Sequence, residues 1–479
     1  MPLKFKENYM KQNKYSVLRI ASVFLLALLL FSCKTTGKLE QPEQKKEDIQ
    51  FFTLDNGIPV FYLENVYNKI DAVSISLKGG VYNLTEEQSG LEYLTFNMMT
   101  AGSEKYSYDD LLSYSYYTGS SLACSCDLME SMLYVQTISD YLDDSLDILT
   151  DAYLHPVFSE TEYDKMMTNV YNGLEQQAND PNSLAGNNMQ KAVTAGHPYA
   201  VSASPTEDSV ENLTLDAIKA YYPNLLDSRR IAVFAVTRKD AAELVAKLNE
   251  SIGKIPAGTN EIVTDYSVPE YTIGGEPIVE TRPAAAGTSF MYRAVNFPPY
   301  GAPDFFDCVV ANSLYSTTMF NILRNKYGAC YTPQAAMSGN LVSFGFEMIY
   351  RCSAFENILT YLDECRELMA AGQYISSTNE DGSYVLVPFE DVLEGTKNAI
   401  INSTYSSQKT TVGLLSRMIS GYTMFNDVYA LENQADAIRE VTADGVVAAF
   451  RKYYLSDKEQ WSVVCGEDVK DAVMTGLSK

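Results

Sequence analysis

Two histidines, His155 and His197, set the first limit on the chemistry open to this chain of 479 residues. A metal centre drawing three imidazoles from one chain is excluded. Each histidine directly precedes a proline, in LHP and GHP, and reads as part of a turn rather than as half of a spaced ligand pair. The cysteines offer no better framework. Cys124-Ser-Cys126 is CxC rather than CxxC and lies in a strand-like stretch. With Cys33 set aside, the remaining seven, at 124, 126, 308, 330, 352, 365 and 465, are odd in number and sparse, so they read as small buried hydrophobes. Lys and Arg total 36 against 61 Asp and Glu, a net charge of −25. That balance argues against a nucleic-acid partner, because phosphate binding needs a basic surface. Hydrophobic residues at 46% and aromatics at 12% exclude global disorder.

The elements that must position any site fall into two similar halves. FFTLDNGIPVFYLEN (51–65) reads as a hairpin, with Asn56-Gly57 supplying the positive φ of a tight turn. IDAVSISLKGG (70–80) reads as a strand. SGLEYLTFNMMTAG (89–102) reads as a helix with Leu91, Leu94 and Met98 at helical spacing. A strand pair brackets Gly119 to Thr137. An amphipathic helix over 141–158 stops at Pro156, and Ser159 to Glu162 has the form of a capping box for the next helix. The first half closes with LDAIKAYYPNLLDS (215–228), then a strand, a turn and a helix (229–256). The chain closes in the same way with DGVVAAFRKYYLSD (444–457) and QWSVVCGEDVKDAVMTGL (460–477). A repeat of roughly 210–230 residues means two homologous domains rather than a solenoid, whose repeats run roughly 20–50 residues. The expected organisation is a first domain over 49–256, a Gly/Pro-rich polar linker over 257–277 and a second domain over 278–479. Strands and helices mix irregularly, which indicates α+β layers. A polar turn inside 372–395 lengthens one link of the second half and reads as a tolerated surface insertion.

The landmarks LDNGIPVFYLEN, SGLEYLTFNMMTAGSEKY, LHPVF, GHPYA and LRNKYGACY, taken in order, resemble the insulinase/pitrilysin family. Its zinc peptidases are inverted zincins that carry H-x-x-E-H. The resemblance spans residues 50–479. It implies two homologous LuxS/MPP-like metallohydrolase-type domains, each a mostly antiparallel sheet with helices packed on one face, together forming half of a clamshell. It also implies a zinc helix, and that helix is degenerate here. Gly90, Leu91, Gly102, Ser103 and Tyr106 fit the pattern. The two His positions hold Tyr93 and Asn97, and the Glu position holds Phe96. The third ligand position, counted back from Asn179-Asp180-Pro181, falls at Gly173, with Glu175 two residues away. The Asn that active members carry on the following strand falls at Ala123. Tyr and Asn are poor zinc ligands beside imidazole, and Phe96 cannot move a proton. The expectation is therefore no metal and no catalytic residue in this chain. A divergent site built from Glu92, Glu175 and one distant His is the alternative.

The second half departs less from the family. Active members supply an Arg and a Tyr, seven positions apart, to the substrate at the zinc site. Arg324 and Tyr331 have that spacing. An Arg offers a planar donor fork to a carbonyl or carboxylate, and a Tyr hydroxyl can donate to an oxyanion. Some members work as heterodimers in which one subunit holds zinc and the other supplies this pair. The resemblance thus implies a zinc-free, substrate-positioning subunit. Its expected partners are peptides and an H-x-x-E-H-bearing insulinase-family subunit that holds the zinc. A non-catalytic peptide-binding or scaffold lipoprotein, and a self-sufficient zinc metalloendopeptidase with an unorthodox site, remain the other two readings.

The N-terminus reads as an address. Basic residues precede an apolar run from Ile20 to Phe31, too short for a membrane span, and Leu30-Phe31-Ser32-Cys33 resembles a bacterial lipobox. Residues 1–33 are expected to be a signal peptide ending in a lipidated Cys33, and 34–48 a polar tether. This places the chain in a bacterial cell envelope, lipid-anchored on its periplasmic or outer surface.

Overall fold

A computed structural model describes residues 48–263, 268–339, 341–380 and 382–478. The expected signal segment, the lipobox with Cys33 and the tether up to Glu47 lie outside the described residues. Among the described residues, no helix is long and apolar enough to cross a membrane.

The first half runs β1 (Ile49–Thr53), β2 (Pro59–Glu64), β3 (Ile70–Lys78), α1 (Leu91–Met99), α2 (Tyr108–Thr118), β4 (Ser121–Cys126), β5 (Glu130–Ile138) and α3 (Leu142–Leu154). It continues with α4 (Glu160–Asn179), α5 (Pro181–Val193), α6 (Leu215–Tyr221), β6 (Ile231–Thr237) and α7 (Ala241–Glu250). Several starts and stops have local causes. Ser159 caps α4 by accepting from the Glu162 N–H. Asp180 takes both the N–H and the hydroxyl of Ser183, at 2.9 and 2.6 Å, while Pro181 opens α5 where no N–H is needed. The first hairpin closes differently from the expected tight turn. Thr53 pairs with Pro59, which leaves five residues in the loop, and only Gly57 takes positive φ, at 87°. Asn56 instead spends its side chain on the carbonyls of Ile252 and Ile255, tying the hairpin to the end of the half.

The second half runs β7 (Ile278–Thr281), β8 (Ser289–Asn296), α8 (Phe305–Met319), a π-helical turn (Phe320–Lys326), β9 (Thr332–Gly339), β10 (Ser343–Cys352) and α9 (Ile358–Ala370). There follow β11 (Gln373–Thr378), β12 (Tyr384–Pro388), α10 (Leu393–Ser407), α11 (Thr411–Phe425), α12 (Gln434–Glu440), α13 (Ala443–Tyr453), β13 (Glu459–Cys465) and α14 (Lys470–Leu477). The lengthened link at 372–395 contains a two-stranded hairpin of β11 and β12, with the polar turn at its tip.

The duplication is visible strand by strand. The first sheet has the order β1-β2-β6-β3-β5-β4 and the second β7-β13-β8-β10-β9. Without β1 the two orders match, and so do the directions. β2 with β6 and β7 with β13 are the parallel pairs, and the rest are antiparallel.

Each sheet carries its own half's helices on one face. Val60, Tyr62, Val73 and Ile75 face the core made with α1, α3 and α6. The alternate residues Phe61, Leu63, Phe234 and Val236 face Leu415, Met418 and Ile419 of α11, a helix from the other half. The reverse holds in the second sheet. Met291, Val295 and Val463 face the local helices, while Phe290, Tyr292 and Ala294 face Ala185, Met189 and Val193 of α5. The halves therefore exchange one helix each. Leu415, Met418 and Ile419 are fully buried, each contributing about 1.5–3 kcal/mol from burial. Residues 269–273, between the sheets, are also strapped down. Tyr271 and Ile273 are buried, and His197 Nε2 lies 2.8 Å from the Pro269 carbonyl.

Candidate functional site

Helix α1 is held at its start by backbone geometry. Gly90 adopts φ 84°, and a Cβ there would meet Pro205 at 2.4 Å, so the position requires glycine on two counts. The helix then buries Leu91, Leu94, Phe96, Met98 and Met99. Phe96, which the resemblance sets at the general-base position, is fully buried and packs edge-on against Tyr153. Tyr93 and Asn97 share a face one turn apart and are half-buried. Asn97 turns its Nδ2 back on the Tyr93 carbonyl at 2.8 Å, so its side chain serves its own helix. Ala123 lies on the edge strand β4, opposite Tyr134.

The acidic residue of this helix has a structural task. Glu92 is 3% exposed and accepts from Ser131 Oγ, from the Tyr221 hydroxyl and from Arg230 Nη2 at 3.4 Å. Burial, reinforced by the Glu92 charge, pushes the Tyr221 hydroxyl well above its ordinary pKa, which keeps it a donor. Glu175 lies elsewhere, exposed on α4, and His155 is exposed at the end of α3. His197 is committed through both ring nitrogens: Nε2 donates to Pro269 O and Nδ1 accepts from the Tyr199 N–H. Glu92, Glu175 and a histidine are thus not brought together. Among the described residues, no group of three or more His, Cys, Asp or Glu is placed to hold a metal ion. Gly173 lies within α4, and a Cβ built there meets nothing within 4 Å. The cysteines from Cys124 to Cys465 are free thiols, and burial pushes the Cys124 pKa up to about 12.

The Arg324 and Tyr331 side chains are brought together. Helix α8 loosens into the π-helical turn carrying Arg324, a form often found at functional sites. Gly328, at φ 57°, reverses the chain into β9. Glu364 of α9 fixes the outer side of the turn, accepting from Lys326 Nζ at 2.6 Å and from the Tyr327 hydroxyl at 2.7 Å. Arg324 Nη1 donates to the Tyr331 carbonyl at 2.6 Å, and its guanidinium carbon lies 4.4 Å from the centre of the Tyr331 ring. Tyr331 is 60% exposed, and among the described residues its hydroxyl has no partner. The pair therefore presents a held ring, an open hydroxyl and the rest of a guanidinium fork to solvent. Tyr331 leans edge-on against Tyr350. Tyr350 in turn lines an open cleft of about 480 Å³ between the halves, walled opposite by Glu175, Asn179 and Asp180. Tyr350 and its neighbour Arg351 carried no signal in the sequence, because a bulge in β10 places them.

Comparison with known proteins bears on the family and the fold. Residues 60–206 match the model described as Insulinase (Peptidase family M16), and residues 212–370 match the Peptidase M16 inactive domain. The chain belongs to the insulinase family. Among curated relatives, the "Non-peptidase homolog YmxG" of Helicobacter pylori is 20% identical over 201 residues, covering 42% of this chain and 46% of that protein. The mitochondrial-processing peptidase subunit alpha of Bos taurus is 25% identical over 236 residues, covering 48% of this chain and 45% of that protein. The chain thus spans about half the length of the curated relatives it matches. Among solved structures, a protease from Helicobacter pylori aligns with TM-score 0.71 and 14% identity, over 88% of this chain and 99% of that one. The periplasmic protease PqqL of Escherichia coli aligns with TM-score 0.70 and 14% identity, over 89% of this chain and 46% of that one. At these identities the structural likeness bears on the insulinase fold alone.

Proposed function

We propose that this insulinase-family chain is the zinc-free, substrate-positioning subunit of a heterodimeric peptidase, carried on the cell envelope through a lipid on Cys33. The observation behind this reading is an asymmetry within one chain. The zinc positions hold Tyr93, Asn97 and Gly173, and the base position holds a buried Phe96. Arg324 and Tyr331 nevertheless remain stacked, Arg324 half-buried and Tyr331 exposed, on a turn that Glu364 pins through Lys326 and Tyr327. In this reading a partner subunit supplies the zinc and the general base. Arg324 orients a peptide carbonyl or carboxylate, and the Tyr331 hydroxyl donates to the oxyanion that forms at the partner's metal.

The names of the relatives fit both parts. One is called a non-peptidase homologue and another a subunit, while a structural neighbour is called a periplasmic protease. Affinity capture of the tagged mature protein from its native membrane, with zinc analysis of the eluate, tests the reading. A second chain of similar size carrying about one zinc per pair is expected. A lone, zinc-free chain would overturn the heterodimer and leave a non-catalytic binding lipoprotein. A lone chain with one zinc would overturn the assignment of the vacated ligand positions.

A further inference from the structure

Arg351 stands where an arginine has no local reason to be. Only two non-glycine residues among those described take positive φ, Arg351 at 54° and Asn426 at 55°. Asn426 ends helix α11, a place where Asn is favoured. Arg351 sits in a bulge of β10, where the register with β8 breaks between Ile349 and Cys352. A β-carbon at such φ costs of order 1 kcal/mol, and such strain persists where the surroundings over-determine it.

Those surroundings are the Arg324–Tyr331 segment itself. The Tyr331 N–H donates to the Tyr350 carbonyl, and the Ser353 N–H donates to the Ala329 carbonyl, both at 2.9 Å. These two bonds straddle Arg351 and fix the bulge opposite Cys330. The side chain is exposed, and its guanidinium carbon lies 5.7 Å from the Tyr350 ring centre. Among the described residues it has no ion pair. It lines the cleft between the halves, facing a wall that carries Glu175 and Asp180. Asp180 is engaged with Ser183, and Glu175 is exposed. A row then forms along one side: Arg324 over Tyr331, Tyr331 edge-on to Tyr350, and Arg351 beside Tyr350.

We propose that Arg351 is a second anchoring residue of this cleft, which receives the carboxylate of a bound peptide beside the Arg324–Tyr331 pair. The proposal rests on the peptide-binding reading above. The free guanidinium supplies a planar fork that matches a carboxylate, and the bulge holds it at the cleft wall. The carboxylate comes either from a peptide C-terminus or from an acidic side chain.

The test uses the full mature chain and three fluorescein-labelled heptapeptides of alanine and valine. One ends in a free carboxylate, one in an amide, and one in an amide with a single internal glutamate. Binding by anisotropy is expected to favour a carboxylate-bearing peptide over the plain amide by about tenfold. The preferred peptide identifies the source of the carboxylate. Arg351→Gly should abolish that preference while leaving the thermal midpoint equal or higher, since glycine relieves the positive φ. Arg351→Lys should restore part of the preference. If all three peptides bind equally well to the wild type and to Arg351→Gly, peptide binding stands and the anchor is overturned. A lowered midpoint in Arg351→Gly with the preference intact would also overturn it, in favour of a structural role. If none of the peptides binds the wild type, the peptide-binding reading falls and the anchor falls with it.

Discussion

At the scale of single residues, helix α1 is part of the core. Glu92 shows this most directly, because its carboxylate is buried and shared among Ser131, Tyr221 and Arg230. Removing it leaves the Arg230 charge, 1% exposed, without its partner. Glu92→Ala should therefore destabilise the fold by about 3–5 kcal/mol, read as a lower urea midpoint. An unchanged midpoint would mean that the network is not what holds this helix. Tyr331 predicts the opposite behaviour. Its ring is exposed and its hydroxyl unpartnered, so Tyr331→Phe should leave the thermal midpoint unchanged. In the proposed heterodimer, once reconstituted, it should lower turnover roughly a hundredfold, the loss typical of one oxyanion donor. Loss of stability without loss of turnover would assign Tyr331 to packing instead.

At the scale of elements, helix α4 carries a vacancy. Gly173 lies in its interior with open space where a Cβ would point. Gly173→Ala should raise stability by about 1 kcal/mol, seen as a higher thermal midpoint. A drop would show that the glycine answers a close contact absent from this structure. What the sequence could disclose is also clearest at this scale. The apolar spacing of Leu91, Leu94 and Met98 and the paired segments ending each half were legible because they are local patterns. Arg324 and Tyr331 were singled out only through the family resemblance, and the stacking that the π-helical turn and Gly328 give them left no mark in the sequence. The role of Asn56 was misjudged, since a side-chain bond to residues about two hundred positions away decides that loop. Arg351 was invisible for the same reason, because a bulge set by pairing with two other strand segments leaves no mark on its own neighbours.

At the scale of the molecule, the exchange of α5 and α11 was equally hidden, because each helix is amphipathic whichever sheet it covers. The exchange joins the halves through a seam with a titratable group. Glu130, at the start of β5, accepts a hydrogen bond from Thr423 of α11, while Lys78 lies over the Tyr422 ring and reaches Asn426 at 3.3 Å. Burial, the largest influence, pushes the Glu130 carboxyl up to about 7; the Thr423 bond and Lys78 pull it down, and Asp127 adds to the rise. The folded chain therefore keeps this proton to about pH 7, whereas the unfolded chain releases it at the ordinary value of 4.5. Between those limits the folded state binds more protons, so stability falls as pH rises. The contribution is complete below about pH 4.5, declines through pH 7 and is then constant, amounting to about 3 kcal/mol. Glu130→Gln keeps the Thr423 bond without the charge. The stability difference between variant and wild type should therefore be small at pH 4.5 and should grow in the variant's favour up to about pH 7. Urea titrations at several pH values read this difference directly, free of the many other carboxylates. A difference independent of pH would mean that Glu130 titrates in the folded seam as it does in the unfolded chain. A single unfolding transition throughout would show that the exchanged helices make the two domains one cooperative unit.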